Sequence, residues 1–196
     1  LEDHEGCVGW GEIWCNFPSV GAEHRARLFD SIVTPILLEK IWASPLEAFQ
    51  ELTKRLHILG IQCGEPGTIA QAIAGTDIAL WDLLGRKIGK PLWELFGGTP
   101  LIETYASGLS PTNPEAIAAE KWAEGFRAFK LKVGFGQERD FYNLQTLRSL
   151  LGPDTKIMVD ANQAWSLESA AHYIKHLAPL NPFWVEEPIA ADHSLE

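Results

Sequence analysis

A chain of 196 residues, 46% hydrophobic and 21% charged, with eight tryptophans, has ample material for a globular core and is neither disordered nor fibrous. A formal net charge of −10, with no basic stripe, argues against a nucleic-acid-binding surface. Cys7, Cys15 and Cys63 lack CxxC spacing, which argues against a disulfide framework or structural zinc and for a reducing cytoplasm. No apolar run reaches the roughly 18 residues of a membrane span, and Leu1 opens a polar segment instead of a signal peptide. There is no initiator Met, so a natural start is expected elsewhere.

In chain order, Cys7 to Cys15 interleaves Val8, Trp10 and Trp14 with glycines and reads as a strand, followed by an irregular Asn16-Phe17-Pro18-Ser19. Three helices follow. The first starts near Ala22 with Ala26, Phe29, Ile32 and Val33 on one face, and Pro35 should kink or shorten it. The second has Ser44 as N-cap, Pro45 at the first helical position and Glu47 closing a capping box, and should stop at Gly60. The third, Ile69 to Leu84, carries alanines and Gly75 that allow close backbone approach, so it reads as buried, with Gly85 as its stop. Gly97-Gly98-Thr99-Pro100 marks a boundary, dividing the chain into domains 1–98 and 99–196.

Beyond it, strands alternate with helices: strand Ile102 to Ala106, a helix opened by Asn113-Pro114, strand Arg127 to Val133, and a helix striped by Phe141, Leu144, Leu147 and Leu151. A third strand ends at Asp160, Ser166 caps another helix, and a fourth strand ends at Glu186-Glu187-Pro188. A β-α-β-α order implies a parallel sheet. The intervals from Lys132 to Asp160 to Glu186 are nearly equal and close to the roughly 30 residues of one βαβ unit, so polar groups recur at the same place in successive units. In a parallel barrel those strand ends converge on one mouth. Four strands are too few for a closed eight-stranded barrel. The expected fold is α/β, an incomplete TIM-like (β/α)7β barrel after an α+β capping domain, within a longer protein.

Taken singly, each polar group has a plainer reading. Lys130 and Lys132 could be the wet face of an antiparallel strand, Asp160 a turn or cap residue, and Glu186-Glu187 an exposed strand end. Flanking helices, however, predict a parallel strand buried on both faces, where two lysines need a chemical reason.

Phe129-Lys130-Leu131-Lys132-Val133, Met158-Val159-Asp160-Ala161-Asn162-Gln163-Ala164-Trp165 and Trp184-Val185-Glu186-Glu187-Pro188 together resemble the enolase superfamily, in its mandelate racemase/muconate lactonizing group. Val8-Gly9-Trp10-Gly11-Glu12, Ala79-Leu80-Trp81-Asp82-Leu83-Leu84-Gly85 and Pro91-Leu92 are similar to its capping domain, so the resemblance covers essentially the whole chain. It implies that Asp160 and Glu186 bind Mg²⁺ and that Lys132 removes a proton α to a substrate carboxylate. Lys130 would assist the base or contact that carboxylate. Asn162, with Trp14, Asn16 and Phe17 of the capping domain, is implied as a substrate contact. A third acidic ligand and a second acid/base group would follow beyond Glu196. A small carboxylate substrate and a homo-oligomer are expected, with no nucleic-acid or membrane partner.

The implied chemistry is coherent. Removing that proton makes an enediolate, whose neighbouring oxygens call for a hard, oxygen-liganded cation; Lys or His bases acting with Mg²⁺ are the known chemistry of this superfamily. The base must be neutral, and lowering a lysine from near 10.4 to between 7 and 8 takes about 4 kcal/mol. Residues i and i+2 of a strand lie about 7 Å apart. At an effective dielectric of about 20, two cations at that separation repel by about 2.4 kcal/mol, so Lys130 would supply roughly half the shift. Sugar-acid dehydration and racemisation or epimerisation lead, because a second Glu at 187 leans to the mandelate racemase side. Muconate-type lactonizing cycloisomerisation or dipeptide epimerisation is the alternative. Other classes are a Schiff-base barrel aldolase and an inactive truncated remnant that only folds or associates; residues 1–196 alone are expected to be inactive and not a well-behaved monomer.

Overall fold

The computed structural model describes residues 1–18 and 20–193, in two compact units, Leu1–Leu101 and Ile102–Glu196. In the first unit, helix α1 (Gly21–Leu28) runs through a wider π turn (Phe29–Val33) into α2 (Thr34–Leu37). Pro35 lies just after that turn. The helix widens where the proline removes a helical donor.

Helix α3 (Pro45–Gln62) starts as expected, with Ser44 extended and its Oγ accepting the Glu47 N–H at 3.1 Å. Glu47 turns its carboxylate to the Ala43 N–H at 2.8 Å, so the expected box closes one residue earlier. The helix passes Gly60, where a Cβ would lie 3.3 Å from Pro66 Cα. That glycine admits the start of α4 (Pro66–Ile88) and stops nothing. Gly85 is likewise inside α4, with a Cβ position 2.9 Å from Lys90 O; the stop is Gly89, left-handed at φ 69°, with the Lys90 N–H returning to Gly85 O at 2.9 Å. Leu52 and Leu56 pack with Val33, Ile36, Ile69 and Ile73 as this unit's core. A short α5 (Leu92–Leu95) follows.

The expected strand Cys7 to Cys15 is not one. Among the described residues its only ladder contact is an antiparallel bridge from Val8 to Glu2. Residues 9–13 lie along α4: a Cβ on Gly9 would be 2.1 Å from Ala79 O, and one on Gly11 would be 2.0 Å from Gly75 O. The glycine alternation that reads as a strand is a record of backbone pressed on a helix. Gly11→Ala is therefore expected to cost about 1–3 kcal/mol of this unit's stability. Urea unfolding checks it, and a change under about 0.5 kcal/mol, the usual size for a surface site, would contradict the packing.

In the second unit, four parallel strands, β1 (Ala106–Leu109), β2 (Ala128–Lys132), β3 (Lys156–Asp160) and β4 (Val185–Glu186), lie side by side in chain order. Helices α6 (Pro114–Ala123), α7 (Gln137–Leu151) and α8 (Leu167–Leu177) connect them. The first strand begins where it was expected to end, because Leu101 and Ile102, apolar enough to suggest a strand, are more than 80% exposed and unpaired. Phe129, Leu131, Val133, Ile157 and Val159 pack with Ala118, Leu144, Leu147, Ala170 and Leu177 of the helices. The alternate positions, Lys130, Lys132, Met158 and Asp160, face the other way. Among the described residues, no helix is long and apolar enough to cross a membrane.

Candidate active site

Strand register sets the geometry. Lys132 is paired with Asp160, and Asp160 with Glu186, so three charged residues form one row at the C-terminal ends of β2, β3 and β4. Lys130 lies two residues deeper on the same face of β2, its side chain 8% exposed against 30% for Lys132. The Lys132 Nζ donates to Asp160 Oδ2 and to Asn162 Oδ1, both at 2.7 Å. The Lys130 Nζ donates to Glu186 Oε1 at 2.7 Å and stands 3.4 Å from Asp160 Oδ2. Each lysine thus meets a candidate metal ligand, an arrangement that spacing alone does not reveal.

Asp160 is almost fully buried, and its Oδ1 accepts the Asn162 N–H at 3.0 Å. Burial raises its pKa, but the Lys132 hydrogen bond, the Asn162 amide and the two ammonium charges outweigh this and hold it below the usual carboxylate range. For Lys130, burial opposes the charge and is outweighed by Glu186 and then Asp160, so its pKa is raised. Lys130 is thus a fixed positive charge two residues from Lys132 on the same face of β2.

Asn162 and Gln163 adopt left-handed backbone at φ 45° and 63°, as does Glu187 at 43°. This geometry turns the Asn162 side chain back onto Lys132, with its Nδ2 donating to Glu187 Oε2 at 3.3 Å. Two aromatic residues of this face escaped the sequence reading. The Trp184 Nε1 donates to Glu186 Oε2 at 3.1 Å; its place two residues before Glu186 on a strand was a usable signal. Tyr105 meets Trp184 edge-on at 5.7 Å, with the Lys130 ammonium 5.5 Å from its ring centre. Trp14, Asn16 and Phe17 belong to the first unit, where all three side chains are exposed.

Two carboxylates converge on one point of positive charge, the Lys130 ammonium, so a hard cation with oxygen ligands matches their chemistry and would compete for the same oxygens. Among the described residues, no group of three or more His, Cys, Asp or Glu side chains is placed to hold a metal. Asp160 and Glu186 are the two carboxylates that this face brings together.

The chain is similar to known proteins in sequence and in fold. Residues 1–97 match the mandelate racemase/muconate lactonizing enzyme N-terminal domain, and residues 115–196 match the enolase C-terminal domain-like family. A mandelate racemase/muconate lactonizing enzyme structure from Bordetella bronchiseptica is 53% identical, with a TM-score of 0.94 over 98% of this chain and 53% of that one. A racemase from Streptomyces coelicolor with bound magnesium is 34% identical, with a TM-score of 0.86 over 97% of this chain and 57% of that one. A curated 3,6-anhydro-alpha-L-galactonate cycloisomerase, also from Streptomyces coelicolor, is 36% identical over 98% of this chain and 53% of its own length. The chain spans about half the length of the curated relatives it matches. It belongs to the mandelate racemase/muconate lactonizing enzyme group of the enolase superfamily.

Proposed function

We propose that the complete protein is a Mg²⁺-dependent lyase or isomerase that removes the proton α to a substrate carboxylate, with Lys132 as the base. The register-paired row Lys132, Asp160, Glu186, with Lys130 against both carboxylates, is the observation that carries this reading. Mg²⁺ on Asp160 and Glu186 would supply Lewis-acid charge for the substrate's carboxylate oxygens. The Lys132 Nζ, oriented by Asn162 Oδ1, takes the α proton; Lys130 keeps its own and adds fixed positive charge beside it. Trp14, Asn16, Phe17 and Asn162 are proposed as substrate contacts. The third metal ligand and the opposite acid/base group are assigned to the further length that the relatives have.

Dehydration of a sugar acid, or racemisation or epimerisation of a 2-substituted acid, is the leading chemistry. It is supported by the racemase likeness and by Glu187, whose carboxylate anchors Asn162. Lactonizing cycloisomerisation is the second reading, supported by the cycloisomerase relative. Free thiols at Cys7, Cys15 and Cys63 support a cytoplasmic setting.

Calorimetric titration of the full-length protein with Mg²⁺ tests the metal assignment. One site is expected, weakened at least tenfold, about 1.4 kcal/mol, by Glu186→Gln. Equal affinity in the variant and the wild type would remove Glu186 from the site.

A further inference from the structure

Asp140 is a buried carboxylate held by main-chain amides. It lies in the first turn of α7, fully inaccessible, and among the described residues no lysine or arginine forms an ion pair with it. Main-chain amides fill its oxygens instead. The Gly134 N–H donates to Oδ2 at 2.8 Å, and the Phe135 N–H spans both oxygens at 3.3 Å. Burial pushes the Asp140 pKa up, while the amides of Gly134 and Phe135, and then the charge of Arg139, which forms no ion pair with it, pull it down. An unpaired buried charge opposes folding, and a neutral Ser or Asn at the N-cap would start a helix without that penalty. What the carboxylate adds is a two-point hold on the turn after β2.

That turn begins directly after Lys132-Val133 and abuts the turn after β3. Gly134, at φ 96°, has a Cβ position 2.7 Å from Ala164 Cβ and 3.2 Å from Ala161 O. Residues 161–164 include Asn162, whose Oδ1 accepts from the Lys132 Nζ. The contacts therefore run from Asp140 to Gly134, from Gly134 to the Asn162 turn, and from Asn162 back to Lys132. We propose that Asp140 is a positioning residue for the Lys132–Asn162 pair, acting by locking together the turns that follow β2 and β3. The proposal rests on reading that pair as the base and its orienting group, but its test needs no turnover.

In the full-length protein, Asp140→Ala is expected to speed amide exchange at least about tenfold in both 133–136 and 161–164, with the strand interiors 129–131 and 157–159 changed less than about twofold. It should also shift or broaden the Asn162 side-chain amide signal in the NMR spectrum, identified by its absence in Asn162→Ala. Asp140→Asn keeps an acceptor for the Gly134 N–H and is expected to restore most of the protection and the signal. Gly134→Ala, which drives a Cβ against Ala164, should disturb the Asn162 signal by the other end of the lock. If Asp140→Ala does not fold, the Asp140→Asn and Gly134→Ala comparison decides alone. Loosening confined to 133–136 and the start of α7, with 161–164 and the Asn162 signal unchanged, would reduce Asp140 to a local anchor and overturn the proposal; so would a uniform rise through the sheet. Absence of Mg²⁺ binding in the wild type would sink the functional reading and leave these readouts as expected.

Discussion

Asp160→Asn in the full-length protein is expected to weaken Mg²⁺ binding at least about a hundredfold, ~2.7 kcal/mol. The substitution keeps the shape and removes the charge of a carboxylate that is almost wholly buried. Both of its oxygens face donors, the Asn162 N–H at 3.0 Å and the Lys132 Nζ at 2.7 Å. An amide must turn its own NH₂ toward one of them, leaving two donors face to face. Stability without metal should accordingly fall by about 1–3 kcal/mol. Titration calorimetry and urea unfolding measure the two effects separately. Unchanged metal affinity would exclude Asp160 as a ligand, whatever the stability showed.

The largest structural loss is expected at Arg148, at the opposite ends of the same strands. Its guanidinium donates to five carbonyls: Leu180, Gly152, Pro153, Thr155 and Asn181, at 2.6 to 3.1 Å. These lie on the chain entering β3 and on the turn that leads toward β4. Burial lowers the Arg148 pKa, with only the charge of Asp154 opposing, so the side chain is held by main-chain oxygens. Arg148→Ala strands those acceptors and is expected to cost about 3 kcal/mol or more. Arg148→Lys should recover only part, because one ammonium cannot reproduce a planar fork reaching this many oxygens. Thermal and urea unfolding decide it, and a loss below about 1 kcal/mol would mean that water replaces the arginine.

The charged row was legible because parallel βαβ units repeat, and a repeat places strand ends at fixed intervals. Lys130, Lys132, Asp160 and Glu186 could be read from those intervals and from the motifs around them. Their ion pairing could not: it depends on the register of Lys132 with Asp160 and on side-chain reach across strands. Ser44 and Ser166 were legible as caps because an N-cap is local chemistry, and both accept the expected amide, Ser44 from Glu47 and Ser166 from Ser169.

Glycine was the main source of error. Gly60 and Gly85 suggested helix ends, yet both lie inside helices where another backbone comes close. Gly9 and Gly11 imitated strand alternation for the same reason. A glycine required by a long-range contact looks, in sequence, like one required by its own backbone. Asp140 was hidden differently. An acidic residue in the first turn of a helix has a ready explanation in the helix dipole, and nothing local reveals that its carboxylate reaches back to Gly134.

Solvent-deuterium incorporation at the α carbon tests the central claim most directly. The full-length protein, Mg²⁺ and a series of sugar acids and 2-hydroxy acids would be followed by NMR in D₂O. The account predicts exchange in the wild type and its loss by a factor of at least about 10² in Lys132→Ala, with Mg²⁺ affinity kept within about threefold. Exchange that survives in Lys132→Ala and disappears in Lys130→Ala would contradict it, because the deeper lysine, paired with Glu186, would then be the base.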